Sequence, residues 1–90
     1  MLQTISIIVK GKVQGVYYRQ TTQEKAMALG INGTVRNLPD RSVKILATGT
    51  KEQLDKLLAW CRQGPSRAEV SDIEWKEEEL RSFHDFRVLR

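Results

Sequence analysis

The order of periodic segments predicts an α+β fold of split β-α-β type. It reads β-α-β-β-α-β plus a short final strand, with two helices on one face of an antiparallel sheet. Three observations carry this. Apolar residues alternate with period two over residues 3–10, 31–38 and 42–48. Between them, residues 18–29 and the segment after Thr50 carry apolar stripes at helical spacing. Glycine or proline stands where one period gives way to the next.

Taken in order, Ile5, Ile7 and Val9 form one strand face and Thr4, Ser6 and Lys10 the other, with Ile8 an extra apolar residue on the second face. Tyr18, Thr22, Ala26 and Leu29 then make a helical stripe, which Gly30 stops. In the second strand Ile31, Gly33, Val35 and Asn37 alternate with Asn32, Thr34, Arg36 and Leu38. Pro39-Asp40-Arg41 is a turn. Val43, Ile45 and Ala47 mark a third strand, and Thr50-x-x-Gln53 is a capping box that opens a second helix. Leu54, Leu57, Leu58 and Cys61 are its buried stripe, and Gly64-Pro65 ends it. In the tail Ile73 and Trp75 share a face. Val70 is out of phase with them, as a bulge or an offset start would make it, and Phe86 and Val88 alternate in a short last strand.

Ninety residues suit one core, so residues 1–90 are expected to form a single domain. The apolar run Ile5–Val9 is too short to span a bilayer and lacks the flanks of a secretory signal, which leads to an expectation of no membrane association, and the lone cysteine leads to an expectation of a reducing, cytoplasmic location. One cysteine and one histidine exclude an internal disulfide and leave too few soft ligands for a structural zinc site. Cys61 is expected to pack as a small core residue, and His84 to be a surface imidazole. The net charge of +4 hides a split: residues 1–68 carry 11 Lys and Arg against 4 Asp and Glu, whereas residues 69–90 carry 4 against 7. A basic body favours anionic partners.

The stretch GKVQGVYYR, residues 11–19, is the most informative. A strand-to-helix turn is a natural anion site, because the first helical N–H groups lack internal partners and the dipole adds positive charge. Gly11 and Gly15 allow backbone angles that let successive N–H groups converge. No Ser, Thr, Asp or Asn stands ready to cap a helix at Tyr18, and Arg19 in its first turn opposes the dipole unless an anion lies beside it. Thr21-x-x-Glu24 offers a rival cap that would start the helix later. The right-handed β-α-β crossover makes the first two strands parallel, with room for the third between them. The turn at 13–19 and Asn37 should therefore be spatial neighbours.

GKVQGVYYR resembles the G-x-V-Q-G-V-x-x-R signature of the acylphosphatase family, and GINGTVRNLPD resembles that family's second signature, in which glycines lead into V-R-N. The likeness covers nearly the whole chain, with departures at Tyr17-Tyr18, Thr34 and Asp40-Arg41. It implies a ferredoxin-like α/β plait and hydrolysis of the carboxyl-phosphate bond of acyl phosphates, without metal or cofactor. It also implies that Arg19 binds phosphate, that Asn37 positions the attacking water, and that Gln14, Gly15, Val16, Tyr17 and Tyr18 form the main-chain cradle. The side chain of Gln14 is expected to be structural. The implied partners are a small acyl phosphate as substrate and phosphate or another anion as product or inhibitor. No obligate nucleic acid is implied, and the length leads to an expectation of a free-standing monomer. Trp60 and Trp75 are expected to pack rather than stack on a ligand, Arg36 to be solvated, and the acidic run 74–79 to be an exposed strand end. The rival class is an RNA-binding sheet, which would need aromatics on its central strands; the first and third strands have none.

Overall fold

The computed structural model describes all residues, 1–90. Its elements are β1 (Leu2–Lys12), α1 (Tyr18–Leu29), β2 (Asn32–Asn37), β3 (Val43–Thr50), α2 (Lys51–Gln63), β4 (Glu69–Glu78) and β5 (Phe86–Val88). The strands form one sheet in the order β4-β1-β3-β2-β5. β3 runs antiparallel to both β1 and β2, so β1 and β2 run parallel on either side of it, as the crossover requires. β5 adds parallel to β2 at the edge. This is the ferredoxin-like arrangement expected from the element order.

One face of the sheet and the helices form the core. Ile5, Ile7, Val9, Val35, Val43, Ile45 and Ala47 are buried against Tyr18, Ala26, Leu54, Leu57, Leu58 and Cys61. The alternation of the strands and the helical stripes meet there because each element has a single apolar side to hide. The two helices start differently. Thr50 caps α2 in a full capping box with Gln53, and Glu52 and Arg62 complement its dipole. α1 has no side-chain cap and no acid in its first turn, and it begins at Tyr18 rather than at the later Thr21 box. Thr21 instead donates its hydroxyl back to the carbonyl of Tyr17.

β1 is longer than its alternation indicates, running on to Lys12 and paired with β4 to the end. The register slips where Lys10 faces Asp72 and Gly11 faces Val70, so Ser71 is the extra residue of a bulge, which accounts for the phase of Val70. Gly11 belongs to this bulge rather than to the turn: its φ is +121°, and a Cβ there would lie 2.2 Å from the carbonyl oxygen of Glu69. Trp75 also departs from expectation. It faces the helix side beside Ile7, but β4 is an edge strand and the indole overhangs it, 52% exposed. On the opposite face, the Thr4 and Thr48 hydroxyls meet at 2.6 Å and the main chain of Arg81 bonds to both residues. The segment after β4 is thereby laid across this face.

Candidate active site at one edge of the sheet

The register carries Asn37 to the turn that follows β1. Val43 of β3 pairs with Val9 on one side and Asn37 on the other, so the ends of β1 and β2 lie two strand spacings apart, about 10 Å. Between them opens a cavity of about 690 Å³, lined by Gly15, Tyr17, Arg19, Asn37, Val88 and Arg90 among others, with no acidic residue in its wall.

The loop side of the cavity is main chain. None of the N–H groups from Gln14 to Gln20 donates to a main-chain carbonyl, since the first helical bond is Thr21 N–H to the Tyr17 carbonyl. No side chain accepts from them either, because α1 lacks a capping residue. Tyr17 holds this conformation at φ +63°, a left-handed value unusual for a non-glycine residue. Gly15 is also left-handed, at φ +74°, and a Cβ there would meet nothing within 4 Å, so it projects toward the open cavity. A run of outward N–H groups at an uncapped helix start is a cradle for anionic oxygens.

Each residue named from the sequence has a defined place. Arg19 is half-buried, and its Nη1 donates to the carbonyl oxygen of Leu89 at 2.9 Å. That carbonyl is held in turn by the bond from the Leu89 N–H to the Val35 carbonyl, at 2.8 Å. Asn37 lines the same cavity as Arg19, and its Oδ1 is buried with no hydrogen-bond partner. An acceptor left in that state costs about 1–3 kcal/mol unless a donor reaches it. Gly15 and Tyr17 are exposed on the rim. Val16 and Tyr18 bury their side chains, so only their main chain faces the loop. The Tyr18 hydroxyl donates to the Cys61 carbonyl at 2.7 Å, and burial raises this phenol above its ordinary range, keeping it a donor.

The side chain of Gln14 turns away from the cavity. Its Nε2 donates to the carbonyls of Leu38 at 2.9 Å and Ser42 at 3.0 Å. It therefore ties the cradle loop to the turn after β2 and fixes the distance between the cradle and Asn37. That turn is closed by Asp40, which accepts from the N–H and hydroxyl of Ser42; the hydroxyl bond chiefly lowers its carboxyl below the usual range.

Sequence reasoning missed the C-terminal contribution. Val88 and Arg90 line the cavity and the Leu89 carbonyl holds Arg19. The only signal was the Phe86/Val88 alternation, which marks a strand but not its neighbour. Parallel pairing of β5 with β2 is what delivers residues 88–90 to the edge where β1 and β2 end. His84 faces another hollow, beside Gln23 and Met27. No three His, Cys, Asp or Glu side chains come together as a metal-ligand group. No helix is long and apolar enough to cross a membrane.

Comparison with known proteins agrees with this geometry. A family model described as acylphosphatase matches residues 5–88. An acylphosphatase of Acaryochloris marina is 49% identical over 86 residues, 96% of this chain and 92% of its own length. Among solved structures, an acylphosphatase from Coxiella burnetii superposes with a TM-score of 0.95 at 36% identity, covering 98% of this chain and 93% of its own. The acylphosphatase from Bacillus subtilis gives 0.94 at 34% identity with both chains fully covered. With both sequence signatures, the sheet order and the cavity in agreement, the chain belongs to the acylphosphatase family.

Proposed function

We propose that this chain hydrolyses the carboxyl-phosphate bond of small acyl phosphates at the cavity between Arg19 and Asn37. One observation carries the reading: a turn with unpartnered N–H groups from Gln14 to Gln20 borders the same cavity as Arg19 and Asn37.

The substrate phosphate rests in the cradle, its oxygens accepting from these N–H groups and from the free donors of Arg19. Those donors are in place before charge builds on the equatorial oxygens, which is the arrangement that stabilises a loose phosphoryl-transfer transition state. The Asn37 carboxamide hydrogen-bonds one water and holds its oxygen in line with the phosphorus. The water oxygen bonds to phosphorus as the bond to the acyl oxygen breaks. The electron pair leaves with the carboxylate, which is a good enough leaving group to need no general acid. The water proton passes to a phosphate oxygen, because a carboxamide cannot take it. The finer expectations, a monomer that acts in the cytoplasm on free small molecules, belong to this proposal and are supported by the family likeness.

Benzoyl phosphate hydrolysis by the wild type, Arg19→Ala and Asn37→Ala tests it. The wild type should turn over, Arg19→Ala should lose about 10²–10³-fold in kcat/KM, and Asn37→Ala should lose mainly kcat. Full activity in folded Arg19→Ala would exclude the mechanism, and a folded but inactive wild type would exclude the reaction. An RNA-binding reading draws no support from the sheet, whose helix-free face shows Thr4, Ser6 and Ile8 on β1 and Lys44, Leu46 and Thr48 on β3.

A further inference from the structure

The helix-free face of the sheet carries an unusual pair. Arg36 and Lys44 stand directly opposite each other across β2 and β3. Like charges in directly opposed cross-strand positions destabilise a sheet; neither makes an ion pair, and the carboxylate of Glu78, from β4 on the same face, attracts Lys44 alone. The chain's ion pairs lie elsewhere, at Lys10–Glu74, Lys51–Asp55, Lys76–Glu78 and Arg87–Asp85. A third cation joins the pair: Arg81, from the segment laid across this face, holds its guanidinium 5.1 Å from the centre of the Phe83 ring. The three cations surround a hollow of about 240 Å³ floored by Leu46 and walled by Phe83 and Leu89. None of its lining residues lines the active cavity.

We propose that this hollow is a second anion site, which takes a compact phosphate-bearing polyanion of diphosphate size. Three cations line one hollow and none of them is in an ion pair, which favours a ligand with more than one negative charge. Two of them are guanidiniums, whose forked donors match phosphate oxygens. At about 240 Å³ the hollow is too small for a run of nucleic acid backbone, and the flanking strands offer no aromatic faces for bases. The ligand also relieves the Arg36–Lys44 repulsion that the empty sheet carries. Leu89 joins the two sites: it lines the hollow, and its carbonyl accepts from Arg19. Occupancy of the hollow is therefore felt at the catalytic arginine.

The test is a titration of ¹⁵N-labelled protein with inorganic pyrophosphate, with chloride matched for ionic strength. Saturable shifts are expected at the amides of Thr34, Arg36, Lys44, Leu46 and Leu89. They should persist in Arg19→Ala, where the cradle has lost its arginine, and weaken by about tenfold or more in Arg36→Gln and in Lys44→Gln. Both positions lie on the solvent side of the sheet, and Arg36→Gln should melt no lower than the wild type without pyrophosphate, since it removes a repulsion and leaves the attraction between Lys44 and Glu78 in place. Shifts confined to residues 14–20 and 37 would overturn the proposal. So would shifts that chloride reproduces, or variants that titrate like the wild type. Because Arg19→Ala is expected to keep this binding, failure here and failure of the proposed hydrolysis are read from different variants.

Discussion

The guanidinium of Arg19 donates to the main-chain oxygen of Leu89, 70 residues away in sequence, at 2.9 Å. One of the arginine's five donors is thereby spent on orientation, leaving the others for the cavity. The acceptor is a carbonyl, so its hold does not depend on which side chain residue 89 carries. It depends on the chain reaching that point and on β5 lying beside β2.

Removal of Leu89 and Arg90 should therefore lower kcat/KM for benzoyl phosphate by about 10- to 100-fold, the value of a hydrogen bond to a charged group. Leu89→Ala, which keeps the carbonyl, should retain most activity. Steady-state kinetics beside circular dichroism separates misplacement of Arg19 from unfolding. Equal losses in the two variants would show that the Leu89 side chain, rather than its carbonyl, matters.

Tyr18 closes a gap at the far end of α2. The Cys61 carbonyl would ordinarily accept from the N–H four residues on, but that residue is Pro65, which has none. The Tyr18 hydroxyl takes its place at 2.7 Å. Tyr18→Phe leaves a buried carbonyl without a donor and should cost about 1–3 kcal/mol. At about 4–8 °C per kcal/mol for a domain of this size, the change is readily seen by thermal melting. Activity at a temperature where the variant is folded should be little altered, since only the Tyr18 main chain faces the cradle.

Cys61 is fully buried, and that burial pushes its thiol up to about 12. The folded state thus keeps a proton that the unfolded chain releases near pH 8.5. Whatever stability this linkage confers is complete below about pH 8.5 and is lost as pH rises toward the folded value. Urea denaturation should show an alkaline decline above about pH 8.5 that Cys61→Ala flattens. The native thiol should also resist alkylation at neutral pH and react once urea unfolds the chain. Rapid labelling of the native protein would contradict the burial.

The proposed chemistry uses main-chain N–H groups, an arginine and a carboxamide, none of which titrates near neutrality. The kcat for benzoyl phosphate should be flat between about pH 6 and pH 8, the range in which a histidine-dependent enzyme would show a limb. His84 is exposed and lines a different hollow, so His84→Ala should leave the profile unchanged. A steep acid limb that disappears in His84→Ala would assign the imidazole a catalytic part.

Much of the site was legible before any coordinates. The cradle is local: Gly15, an uncapped helix start and Arg19 are neighbours in sequence, and their meaning comes from the strand-to-helix change within a few residues. Asn37 needed one further step, the handedness of the crossover, which is general enough to apply to a bare sequence. Trp75 was misjudged because alternation assigns a side chain to a face without telling whether its strand is central or at the edge. Gly11 was assigned to the turn because nothing local marks where β1 stops pairing with β4.

By itself the sequence determined the periodic and punctuated features: which segments are strands and helices, which sides are apolar, how α2 is capped, and that the turn before α1 has no capping side chain. These follow from backbone sterics and burial acting over a few residues. Only the tertiary structure decided that Gln14 clamps the cradle to the turn after β2, that Leu89 orients Arg19, that Tyr18 serves the carbonyl beside Pro65, and that Arg36 faces Lys44 around a hollow. Each of these depends on strand order and register between distant segments. Those are set by the whole core closing at once, and no local period records them.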